Sequence, residues 1–356
     1  MSRVARVTTT RTHGLSDRCA TMGQHDLTLQ HVSDVGHLRR LWLRDGLAGV
    51  YISDSSLDEI QPDARRAVLV VHGIERDGHR YWKALARAAR RAGADVRAET
   101  YLMAPQFFTR KEVRMRGLGA DTLAWASQAW KQGDLSRNGG GVSAFAVVDT
   151  MIQRLLHRDC FPRLAQIVIV GHSAGAQFVQ RYAAASRSAA HARAQGVALR
   201  HIVVGPSSYL YLDDTRRGFG PVAGYGRPCR HTVLRCPGYD HYKYGLRQAN
   251  AYVSGIGALE IRREYAAKEV VYLVGEHDND PDDQHLDRSP AAMLQGRDRL
   301  DRCLAYRDHL ARLYGGVPST HVFQVVPGMR HQGARILRSP IGLRWLFDVD
   351  FQSTRL

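Results

Sequence analysis

The sequence predicts an α/β fold in which a mostly parallel sheet carries helices on both faces. Three observations lead there. Short, wholly apolar runs recur along the chain. Segments with helical spacing separate them. The residues able to do chemistry fall directly after the runs. Strands buried on both faces read as continuous apolar runs, and an alternation of such runs with helices is the pattern of a parallel sheet.

The elements follow in chain order. Asp26 to Ile52 suggests an antiparallel hairpin at one edge, within a weakly patterned lead-in that ends near residue 62. Ala67-Val68-Leu69-Val70-Val71 is a buried strand. Tyr81 to Ala92 has helical spacing, with Trp82, Leu85 and Ala89 on one face. Val96 to Tyr101 reads as a second strand, and Ala144 to Leu156 as a helix on Phe145, Val148, Ile152 and Leu155. Further strands are Gln166 to Val170, His201 to Val204, Val270 to Val274 and Val322 to Val326. In such sheets, ligands bind beyond the carboxyl ends of the strands.

Composition narrows the function. A chain of 356 residues holds one large or two average domains. No run approaches the ~18 apolar residues of a membrane span. Residues 1–22 carry four arginines against one acid and are expected to be a disordered extension, leaving 23–356 as a single domain. The apolar core of a secretory signal is absent, so a cytoplasmic location is expected. The net charge of +16 invites a polyanion partner. Only five of the 50 basic residues are lysine, however, and the 45 arginines are spread along the whole chain. No zinc finger, aromatic RNA-binding signature or basic zipper accompanies them, so no specific nucleic-acid partner is expected. The five cysteines include no C-x-x-C; Cys229 and Cys236 are close enough in sequence to pair, while the lack of a secretory signal favours free thiols. The sequence does not indicate an oligomeric state.

Gly205 to Tyr252 breaks the alternation. It lies between two strands and holds seven tyrosines among glycines and prolines. Long excursions inside a domain are usually functional or disordered, and this aromatic content argues against disorder. A cap or binding loop over 205–252 is expected.

The chemistry centres on Gly171-His172-Ser173-Ala174-Gly175, set between an apolar strand and an alanine-rich helix. A sharp strand-to-helix turn needs small neighbours, which Gly171 and Gly175 supply. It lifts the Ser173 hydroxyl above the sheet edge and leaves the Ala174 amide free at a helix N-terminus. A serine hydroxyl needs a base, and the base needs a carboxylate to fix its tautomer. Asp278 follows the strand ending at Val274, with Glu276 and Asp280 as near neighbours. His331 follows the last strand. The order serine, acid, histidine is thus present. A second oxyanion donor is expected from the loop His72-Gly73-Ile74-Glu75, with Ile74 first and Gly73 beside it. Substrate contacts are assigned to His72, His172, Tyr209 and Tyr242. The run Asp278 to Asp283 has alternating carboxylates but fails as a calcium loop, because Asp283 and Ser289 stand where glycine and a bidentate glutamate are required. No metal or cofactor is expected.

On these residues the chain resembles the α/β-hydrolase superfamily over about residues 60 to 350, and more narrowly a poorly characterised, esterase- or lipase-like branch of serine hydrolases. Carrying that narrower likeness are Val71-His72-Gly73-Ile74, Pro206-Ser207-Ser208-Tyr209, Tyr242-Lys243-Tyr244-Gly245-Leu246, Leu286-Asp287 and Pro327-Gly328-Met329-Arg330-His331. The resemblance implies an eight-stranded, mostly parallel sheet with a nucleophile elbow at Ser173. It implies an enzyme that cleaves a small carboxylic ester through Ser173, Asp278 and His331. An amide or thioester hydrolase with the same triad, or a non-catalytic ligand-binding relative, is the alternative.

Overall fold

A computed structural model describes residues 36–43, 46–138, 141–219 and 224–350. The extension expected at 1–22, and the start of the hairpin expected from Asp26, lie outside them. Eight strands form the main sheet: β1 His37–Trp42, β2 Ala48–Ser53, β3 Arg66–Val71, β4 Thr100–Gln106, β5 Gln166–His172, β6 Ala198–Val204, β9 Glu269–Gly275 and β10 His321–Val326. Between β6 and β9, β7 Arg216–Arg217 pairs antiparallel with β8 Tyr225–Gly226. The main order is β1-β2-β4-β3-β5-β6-β9-β10. The hairpin β1–β2 forms the antiparallel edge, and β4, β3, β5, β6, β9 and β10 run parallel. The eight-stranded, mostly parallel sheet that the resemblance implied is therefore present.

The helices are α1 Gly78–Ala92, α2 Ala94–Ala98, α3 Arg110–Met115, α4 Ala144–Leu155, α5 Ala174–Ala185, α6 Ser188–Ala194 and α7 Arg230–Arg235. They continue with α8 Ala251–Ser254, α9 Ala258–Tyr265, α10 Pro290–Met293, α11 Arg299–Tyr314, α12 Gly333–Arg338 and α13 Pro340–Phe347. Side chains alternate across the sheet, so each apolar run feeds two cores. Leu69, Val71, Ile167, Ile169, Val203, Tyr272 and Val274 meet α4, α5 and α11 on one face. Val68, Val70, Val168, Val170, Ile202, Val204 and Leu273 meet α1, α12 and α13 on the other. Each such burial contributes about 1.5–3 kcal/mol, which is why the runs carry no polar alternation.

One strand differs from expectation. Val96 lies in α2, and β4 begins only at Thr100. Its apolar stretch continues to Gln106 through Pro105, a residue that normally disqualifies a central strand. Pro105 is tolerated because β4 pairs with β3 only as far as Met103 and faces β2 beyond it.

The parallel strands all end on one edge. The loop after β3 presents Gly73 and Ile74, Ser173 follows β5, Gly205 follows β6, β9 leads to Asp278 and β10 to His331.

Candidate active site

Ser173 is held at φ 58°, ψ −116°, a left-handed conformation that a non-glycine residue adopts only under constraint. Its amide donates to Val204 O at 3.0 Å. A Cβ on Gly171 would overlap the Gly175 carbonyl, and one on Gly175 would overlap the Val71 carbonyl. Only glycine allows α5 to start this close to β3 and β5. The elbow geometry read from the pentapeptide is therefore present.

His331 Nδ1 lies 2.7 Å from Asp278 Oδ2. Asp278 is 4 % exposed, and its other oxygen, Oδ1, accepts from Arg299 Nη1 at 3.3 Å. Arg299, itself buried, also donates to Asp283 Oδ1 at 2.9 Å. The two neighbouring acids have other duties. Glu276 accepts from the Gly328 amide at 2.8 Å, and Asp280 accepts from the Asp282 amide at 2.9 Å in an exposed turn. With Nδ1 on the carboxylate, Nε2 is the nitrogen left to face the serine, and it has no partner among the described residues. No hydrogen bond joins it to Ser173, although both residues line one cleft. Bonds of this kind are often long in an empty site and tighten in the complex.

Gly205, at φ +56°, sits against this pair. A Cβ there would stand 3.0 Å from Asp278 Oδ2 and 3.3 Å from His331 Nδ1. His172 lies against His331 with ring centroids 4.4 Å apart and the rings tilted by 35°, and its Nδ1 meets Tyr81 Oη at 3.1 Å. Burial first, and the neighbouring His331 second, push the His172 pKa well below the usual imidazole range. That direction favours the neutral ring at His172.

Ala174 opens α5 and Ile74 lies on the loop after β3, and both line the cleft beside Ser173. Gly73 lines it as well. The loop is braced by His72, which is fully buried. Its Nε2 accepts from the Phe107 amide at 3.1 Å, and its Nδ1 donates to Gly73 O at 3.0 Å. Burial lowers its pKa to about 4.

Two of the expected substrate contacts are corrected by this geometry. His72 spends both ring nitrogens on backbone and has no exposed surface. Tyr209 is also fully buried, stacked on Tyr306 at 4.5 Å, with its backbone paired to the Gln295 amide. A tyrosine next to a strand end carried no signal to separate core from cleft. Tyr242 is half-buried and donates to Gln132 O, so its hydroxyl is already engaged. Of the four, His172 lines the cleft.

Other residues that sequence reasoning missed stand here. Arg299 and Tyr81 lack any motif. Lys131, which has no motif, lines the cleft next to Ser173 together with Lys243 and Asp287, which belong to stretches that carry the resemblance but had no role assigned. Cys229 and Cys236 are free, as expected. Among the described residues no group of three or more histidines, cysteines or acids is arranged to hold a metal ion, and no helix is long and apolar enough to cross a membrane.

No family model and no curated protein matches the sequence. Solved structures do match its fold. A poly(3-hydroxybutyrate) depolymerase, LpqC, from Bordetella parapertussis superposes with a TM-score of 0.59 at 18% identity, covering 90% of this chain and 93% of its own. Poly(aspartic acid) hydrolase-1 from Sphingomonas sp. KT-1 gives 0.54 at 18% identity, covering 85% and 96%. The architecture, strand order and these likenesses establish an α/β-hydrolase fold.

Proposed function

We propose that this α/β-hydrolase-fold chain is a serine hydrolase that cleaves a carboxylic ester. One observation carries the proposal: the 2.7 Å contact between His331 Nδ1 and a buried Asp278 carboxylate, in the cleft that Ser173 also lines. Ser173 Oγ attacks the carbonyl while His331 Nε2 takes its proton. Asp278 holds the Nδ1–H tautomer and stabilises the imidazolium. The Ala174 and Ile74 amides, with Gly73 beside them, receive the charge that develops on the carbonyl oxygen. His331 then protonates the leaving alcohol, and water releases the acyl group by the same steps in reverse. By their names, one neighbour depolymerises poly(3-hydroxybutyrate), a polyester, and another hydrolyses poly(aspartic acid), a polyamide, so a substrate panel with matched esters, amides and thioesters tests the ester reading.

Wild type is expected to react with a fluorophosphonate probe and to hydrolyse p-nitrophenyl butyrate. Ser173→Ala is expected to lose the label and at least ~10³-fold in kcat/KM. Near-normal turnover by that variant refutes the triad. A folded wild type that neither labels nor turns over favours a ligand-binding role on this scaffold.

A further inference from the structure

The cleft has two lobes that meet at Ser173, Ile74 and His285. The first, of about 350 Å³, is lined by His331, Tyr81 and Gln332. The second, of about 390 Å³, is lined by Ala174, Lys131, Lys243 and Asp287 and lacks His331. Since the imidazole must reach the leaving oxygen, the alcohol occupies the lobe that His331 lines. The second lobe is left for the acyl part.

That second lobe is short of negative charge. Lys131 is 7 % exposed, and its ammonium makes no hydrogen bond or ion pair with any described residue. Lys243 Nζ lies 3.0 Å from Asp287 Oδ2, an oxygen that also accepts from Tyr244 Oη at 2.8 Å. Behind them Arg181 is fully buried and donates only to neutral acceptors: Lys131 O at 3.1 Å, Gln177 Oε1 at 3.2 Å and Ser208 Oγ at 3.0 Å. Asp134 acts on Arg181 from a distance, without an ion pair. Three cations therefore share one contacting carboxylate. Burial, then Lys243 and Arg181, lower the Lys131 pKa to about 7. The Lys131 side chain is largely buried but its unpartnered ammonium keeps open surface in the lobe, and no anion among the described residues meets it there.

From this imbalance we infer that the Lys131–Lys243 lobe binds a carboxylate on the acyl part of the substrate. The substrate class is then a half-ester of a dicarboxylic acid, or an acyl chain that ends in a carboxylate. The inference rests on the ester-hydrolase reading of the same site and adds the charge that the substrate must carry.

The test compares monoethyl glutarate with ethyl pentanoate, its neutral chain-matched partner, and with the pentanoyl ester of glycolate, which carries the charge on the alcohol. Ionic strength is fixed with chloride. Wild type is expected to favour monoethyl glutarate over ethyl pentanoate by about 10- to 100-fold in kcat/KM, the worth of one buried charged hydrogen bond. Lys131→Met is expected to bring that ratio close to one, with Lys131→Gln as a second variant should Met not fold. If ethyl pentanoate is cleaved in a Ser173-dependent way with no preference for the half-ester, the charge inference falls and the esterase reading stands. A gain only with the glycolate ester overturns the lobe assignment. If no ester is cleaved, the esterase reading falls. Free glutarate that raises the Tm of wild type but not of Lys131→Met then supports the anion site alone, and no Tm shift removes it too.

Discussion

Two buried lysines show how differently one residue type is used. Lys268 donates to the carbonyls of Ala183, Ala184 and Ser186 at 2.8, 3.3 and 2.7 Å. These close the C-terminal end of α5, where carbonyls lack intrahelical partners and a cation is favoured. Its role is structural. Lys131 has no such set, and its pKa of about 7 stands far below the 10.5 of an unfolded lysine. The sign follows: between about pH 7 and 10.5 the unfolded chain binds the extra proton, so stability rises with pH through that window. Below about pH 7 the cost of charging Lys131 in the fold is fully present. Lys131→Met is therefore expected to be more stable than wild type at pH 6 by about 1–3 kcal/mol, with a smaller gap at pH 9. Urea unfolding at both pH values checks it. A variant less stable than wild type at pH 6 would give Lys131 a structural role after all. Ser173, Asp278 and His331 were legible in the sequence because each follows an apolar run in a fixed order. His72 and Tyr209 were misassigned because a position next to a strand end does not say which way a side chain turns. The one sequence trace of Lys131 is its rarity. In a chain that uses arginine for nearly all its basic positions, a buried lysine keeps the option of losing its proton, which arginine lacks.

At the level of elements, the C-terminal ends of the parallel strands set the distances of the site. Gly205 follows β6 at φ +56°, against the Asp278–His331 pair. Gly205→Ala brings a strain of about 1–2 kcal/mol from the left-handed backbone and pushes on both members of the pair. A kcat loss of about 10- to 100-fold is expected, with KM little changed because no Gly205 atom meets substrate. Gly196→Ala is the control: it has φ +70° and nothing within 4 Å, so it carries the strain without the push. Similar kcat values for the two variants would show that the position of Gly205 does not matter. The central strands were legible since both faces of the sheet are buried there and their runs are apolar, whereas the edge strand β10 carries Gln324 within its run and exposes Val325. β4 was shifted because its sequence, Thr100-Tyr101-Leu102-Met103-Ala104-Pro105-Gln106, has little β-branching and carries proline one residue before its end, so Val96 drew the strand toward α2.

Over the whole molecule, neither the arginine excess nor the tyrosine-rich excursion lies wholly outside the core. Arg181, Arg216, Arg299 and Arg302 are among the largest fully buried side chains, so part of the positive charge braces loops from within. Arg216 packs over the Tyr211 ring at 4.3 Å and donates to Tyr239 O at 2.8 Å. Tyr209, Leu210, Tyr211 and Leu212 have no exposed surface, and Tyr252 donates to Asp149 Oδ2 at 2.7 Å. The excursion is wedged into the body by these residues and carries Lys243 to the cleft from that anchorage. A hinged lid would tolerate removal, whereas this segment should not. Truncating one buried tyrosine costs about 3–5 kcal/mol by analogy with other large aromatic side chains, against a total stability of about 5–15 kcal/mol. Replacing residues 209–252 with a short linker is therefore expected to abolish the cooperative thermal transition. Removing only Cys229 to Cys236, which spans α7 and buries no residue of that helix, is expected to leave Tm within a few degrees. A cooperative melt in the larger deletion would mean that the excursion is a detachable lid and that Lys243 reaches the cleft only when it closes.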